Sequence, residues 1–158
     1  MSIRAEHRAG KAPIPRAVWR VAAIAMLGPL MTNLDATIVT VSLTSLGRSL
    51  HAPLAETQWV TSGYLLALAL ALPLSGWLVD RYGMSRIYRG CFAAFTLASV
   101  LCAASPTIEA LIASRVAQGL CGGILAPLAQ MMIARAAGSA VGRVMGVAVI
   151  PVLIGPIL

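Results

Sequence analysis

From Val18 onward the chain consists of apolar runs close to the ~20 residues an α-helix needs to cross a bilayer, with most of its arginines in the short gaps between them. With 59% apolar and only 11% charged residues among 158, a soluble domain of this size could not cover its surface with charge, so the chain reads as a polytopic, all-α membrane protein.

Five spans are expected, at about 18–45, 57–79, 87–105, 107–135 and 141–158, behind a basic tail over 1–17 that carries Pro13 and Pro15 and reads as disordered. A basic stretch before an apolar run also describes a signal peptide. The run from Val18 to Leu46 is too long for that and holds Asp35, so it reads as an uncleaved first helix. Gly28-Pro29, Pro73 and Pro127 are candidate kink sites, because proline removes a backbone donor.

The net charge of +7 describes topology, with no nucleic-acid partner expected. The arginines lie between apolar runs and few aromatics interleave them. If the amino terminus is cytoplasmic, ten of the twelve basic residues lie inside, Arg48 lies outside and Arg115 lies within a span. That asymmetry favours this orientation. Cys91, Cys102 and Cys121 all fall inside apolar runs, and His7 and His51 fall outside them, so neither a disulfide framework nor a metal site is expected.

Two places carry charge where a membrane chain can least tolerate it. One is the string Gly76-Trp77-Leu78-Val79-Asp80-Arg81-Tyr82-Gly83, followed by Arg86, at the inner end of the second span. The other is Asp35 in the first span and Arg115 in the fourth. At 1.5 Å per residue Asp35 lies roughly 15 Å and Arg115 roughly 12 Å from the outer ends of their spans, a match in depth that lets the two pair. Burial and a neighbouring arginine act on a carboxyl in opposite directions, as a proton-coupling group requires. A static interhelical ion pair is the plainer alternative. Gly119, Gly122 and Gly123, and Gly142-x-x-x-Gly146, read as helix-packing seams, and Trp19, Trp59 and Trp77 as interface anchors.

Several strings occur in one order: Asn33-Leu34-Asp35-Ala36-Thr37-Ile38-Val39, Gln58 to Ala67, the Gly76–Gly83 string, Leu111 to Gly119 with Arg115, Gln118 and Gly119, and an incomplete Gly155-Pro156. Together they resemble the first-helix, second-helix, loop, fourth-helix and fifth-helix motifs of the major facilitator superfamily, in particular its 14-span drug:proton antiporters. The chain departs from that pattern at Met84 and Ser85, where basic residues are usual, and at Thr40 and Thr44, where asparagine and proline are common.

The resemblance implies the partial amino-terminal half of a six-plus-six helical transporter of the inner membrane. It implies efflux of amphipathic small molecules, with protons as the coupling ion and no cofactor. Asp35 and Arg115 fall on its coupling positions, and Gly76, Asp80, Arg81, Gly83 and Arg86 on a loop that contacts the missing half. In the present chain Asp80 is expected to bond across helices, to a helix amino terminus and to basic neighbours such as Arg86, and 158 residues alone are not expected to transport. The rival is a small five-span interaction or sensor protein. An enzyme is not expected, since no histidine and no second aspartate lies within a span.

Overall fold

The computed structural model describes residues 14–49 and 53–154. Gly155, Pro156 and most of the basic tail lie outside the described residues. Five α-helices follow one another: α1 (Arg16–Ser49), α2 (Leu54–Tyr82), α3 (Met84–Ala103), α4 (Ile108–Ala137) and, after a 3-10 turn at Gly138–Ala140, α5 (Val141–Ile154). The described residues contain four segments long and apolar enough to cross a membrane, the last running from α4 into α5.

The helices follow the order of the five expected spans, but α5 is described over only 14 residues, short of a span, and the turn between α2 and α3 needs a correction. The Asp80–Arg86 segment is not an extended loop. Asp80 and Arg81 occupy the last turn of α2 and Arg86 the first turn of α3, with Gly83 alone between the helices. Gly83 reverses the chain at φ 84°, a region open to glycine, and its N–H closes α2 on the Val79 carbonyl at 2.9 Å. α4 starts on Thr107, whose hydroxyl accepts from the Ala110 N–H.

The bundle is inside-out relative to a soluble protein. Leu65, Leu66, Leu70, Leu97 and Val100 face outward, as lipid contact requires, while much of the interior is small: Ala22, Ala25, Ala67, Ala71, Ala98 and Ala129 are buried. α4 is the central helix and packs against the other four. Its closest neighbour is α2. A Cβ placed on Gly119 would come within 2.9 Å of Ala67 Cβ, and one on Gly123 within 2.9 Å of Ala71 Cβ. Two small residues spaced by four on each helix therefore mesh backbone to backbone. By contrast, Gly142 and Gly146 of α5 face open space among the described residues, so that spacing forms no seam here.

α1 runs through Pro29, which has no N–H to give to the Ala25 carbonyl one turn back. Tyr88 of α3 fills the break. Its buried hydroxyl accepts from the Gly28 N–H at 3.1 Å and lies 2.9 Å from the Ile24 and 3.0 Å from the Ala25 carbonyl oxygens. Thr32 and Asn33 both donate to the Pro29 carbonyl, each at 2.9 Å. The charged residue Asp35 begins the second turn beyond this break.

Candidate functional site

Asp35 and Arg115 pair directly, Arg115 Nη1 donating to Asp35 Oδ2. The pair ties α1 to α4. The depths read from the two spans thus correspond to a real contact between α1 and α4. Its two halves are unequally covered: the arginine side chain is 2% exposed and the aspartate 18%. The carboxylate is the member of the pair that something outside the bundle can reach.

Helix periodicity places Gln118 one turn after Arg115, on the same face. Gln118 is fully buried. Its amide oxygen accepts from Arg115 Nη1 at 2.8 Å, and its amide nitrogen donates to Asp35 Oδ1 at 3.0 Å. α3 closes the far side, where Ser99 Oγ accepts from Gln118 Nε2 at 2.7 Å and the Cys102 thiol donates to Gln118 Oε1 at 3.1 Å. From α2 the Tyr64 ring lies under the guanidinium, with Arg115 Cζ 4.2 Å from its centroid. That cation–π contact offsets part of the cost of burying the charge. Arg115 Nε is buried and has no acceptor among the described residues.

Four helices therefore share one polar network, in which both partners of the carboxylate come from α4. Asp35, Arg115, Gln118 and Gly119 are brought together as the motifs imply, with Gly119 forming the α2 seam beside Tyr64. Ser99 and Cys102 were not legible as site residues. Their one signal is a pair of small polar residues, three apart, on the same face of an apolar helix. Tyr64 sits inside the Gln58–Ala67 string, yet nothing local marks it as an arginine partner.

The second group stands apart, at the far end of α2. Asp80 lies sixteen residues beyond Tyr64, roughly 24 Å along a helix. Gly76, Asp80, Arg81, Gly83 and Arg86 are all exposed. The expected bond from Asp80 to Arg86 is not made, and Asp80 forms no ion pair among the described residues. Both groups are exposed beside the tight turn at Gly83, and the Arg81 guanidinium instead lies 5.9 and 5.8 Å from the ring centroids of Trp77 and Tyr82, which meet edge to face. A Cβ on Gly76 would meet nothing within 4 Å, so the surface it opens is unoccupied by the described residues. An apolar cavity of about 300 Å³ lies between α1 and α5, lined by Trp19, Met26, Leu30 and Val147, and shares no residue with the ion-pair network.

A family profile described as Major Facilitator Superfamily matches residues 25–158. Over 139 residues the chain is 42% identical to the Multidrug resistance protein B homolog of Mycobacterium tuberculosis, covering 87% of this chain and 26% of that protein. It is 41% identical to a Putative multidrug resistance protein MdtD of Serratia proteamaculans, over 73% of this chain and 24% of the relative. It is 38% identical to the Tetracenomycin C resistance and export protein of Streptomyces glaucescens, over 70% of this chain and 21% of the relative. The chain thus spans about a quarter of the length of the curated relatives it matches. The profile begins within α1, at Ala25, and takes in every residue of the ion-pair network, and the chain belongs to the Major Facilitator Superfamily.

Proposed function

We propose that this chain forms the amino-terminal part of a proton-coupled efflux transporter of a bacterial inner membrane, with amphipathic small molecules as substrates and protons, without a further cofactor, as the coupling species. The observation that carries the reading is the unequal burial of one ion pair: a closed Arg115 against a partly open Asp35. Protonating Asp35 discharges the pair and leaves a buried guanidinium uncompensated. Breaking a buried pair costs ~3–5 kcal/mol, and moving a two-state equilibrium from 1:99 to 99:1 takes ~5.5 kcal/mol. One proton on Asp35 is therefore enough to carry most of an access switch. The names of the relatives, multidrug resistance and resistance and export, support efflux as the direction.

In the same reading the tail is cytoplasmic, the transport path lies between this part and the remainder of a longer transporter, and the exposed Asp80, Arg86 and Gly76 surface docks against that remainder. The absence of a partner for Asp80 within the described residues supports this role for the loop. In this reading the whole protein is a transporter and not an enzyme.

The test is Asp35→Asn in the full-length transporter, assayed as substrate uptake into inverted vesicles under an imposed pH gradient. Proton-driven uptake is expected to be lost while the protein stays in the membrane, and Asp35→Glu is expected to keep part of it. Uptake by Asp35→Asn with the parent's rate and proton dependence would reduce the pair to a structural role.

A further inference from the structure

We propose that Ser99 of α3 is a positioning residue for Asp35: its hydroxyl holds the Gln118 amide where that amide donates to the carboxylate, and so sets how tightly Asp35 holds a proton. This rests on the proton-coupling reading above.

The argument begins with the amide itself. A glutamine side chain has two N–H donors and two acceptor lone pairs, and in Gln118 all four are used. The oxygen takes Arg115 Nη1 and the Cys102 thiol, and the nitrogen serves Asp35 Oδ1 and Ser99 Oγ. Arg115 and Asp35 fix which end is which, since a flipped amide would set its NH₂ against the guanidinium and its oxygen against the carboxylate. When Asp35 is protonated, Arg115 still holds the oxygen end of the amide, but the hold of Asp35 on the nitrogen end weakens. Ser99 keeps that end in place, because a hydroxyl accepts from the amide whether or not the carboxyl is ionised.

Without that hydroxyl, one amide N–H is left without an acceptor in a fully buried side chain, which is costly enough to move the group. The amide then satisfies itself at the expense of Asp35, and the carboxylate loses a donor that favours its charged form. The groups facing Asp35 are Arg115 from α4, Tyr64 from α2 and Cys102 from α3. α5, also packed on α1, carries Arg143 in its first turn and no other charged residue among those described. None of these changes when Ser99 is replaced.

Infrared difference titration of the full-length transporter in lipid nanodiscs reads this directly. Subtracting the Asp35→Asn spectrum isolates the Asp35 carboxyl from every other carboxyl. Ser99→Ala is expected to raise the Asp35 midpoint by about 0.5–1 pH unit, a roughly three- to tenfold gain in proton affinity. Ser99→Cys, a weaker acceptor of similar shape, is expected to fall between, and Ser99→Thr, which keeps the hydroxyl, to return to the parent. Equal midpoints for the Ala, Cys and parent chains would overturn the inference and leave proton binding at Asp35 standing. A Thr variant shifted as far as Ala would overturn it too. If no Asp35-dependent band titrates in the parent, the proton-coupling reading fails and the role of Ser99 fails with it.

Discussion

The hydroxyl of Tyr88 lies where α1 has lost a backbone donor, and this gives a prediction free of any assumption about transport. Tyr88→Phe keeps the ring and removes the hydroxyl that serves the broken turn at Gly28 and Ala25. It is expected to cost ~1–2 kcal/mol, the net worth of a buried hydrogen bond together with a group left unpaired. In a Pro29→Ala background the new N–H restores the bond to the Ala25 carbonyl, and Tyr88→Phe is expected to cost far less. Thermal unfolding of the four proteins in detergent measures the cycle, and additive losses would disconnect Tyr88 from the proline. Pro29 was legible as a break in the helix. Its remedy was not, because the partner lies 60 residues away and nothing around Tyr88 marks it. The same division holds at the ion pair. Asp35 and Arg115 announce themselves as charges within apolar runs, whereas Ser99, Cys102 and Tyr64 are ordinary span residues until packing brings them there.

Between elements, the α2–α4 seam separates glycines that look alike in sequence. Gly123→Ala would drive a Cβ onto the Leu68 carbonyl and to 2.9 Å from Ala71 Cβ. Backbone cannot retreat as a side-chain tip can, so the change is expected to lower stability by ~1–3 kcal/mol or more. Gly142→Ala meets open space, and alanine's better helix propensity makes it neutral or stabilising in an isolated chain. Unfolding midpoints of the two variants check the contrast, and a mild Gly123→Ala would contradict the tight seam. Spacing identified both glycine sets as one-faced stripes, but a stripe does not name its partner. Gly119 and Gly123 found Ala67 and Ala71, while Gly142 and Gly146 found nothing among the described residues. The inner turn shows the same limit. Gly83 was legible as a turn, but its φ of 84° lets a single residue join two helices, which moves Arg86 from a loop into α3 and away from Asp80.

For the whole molecule, run length and arginine placement made the helix order legible before any contact was known. Apolar run length depends on bilayer thickness, a constraint each span satisfies alone, whereas contacts depend on how spans meet. Orientation is the part of that reading open to a direct test. With Cys91, Cys102 and Cys121 replaced, a cysteine at exposed Thr107, between α3 and α4, is expected to react with an impermeant thiol reagent on intact cells. One at exposed Ser85, beside Gly83, is expected to react only after lysis. The reverse pattern would place the Asp80 turn outside and remove its proposed role. The meshed backbones of α2 and α4 carry one more implication. Gly119 and Gly123 engage Ala67 and Ala71 like teeth of a rack, and close-packed backbones of this kind resist sliding past one another. Tyr64 and Arg115 therefore ride on one rigid strut, and a motion that parts the ion pair must be taken up by α1, whose ladder is already interrupted at Pro29. On the proposed reading the arginine is the stator, and the aspartate is the part that travels.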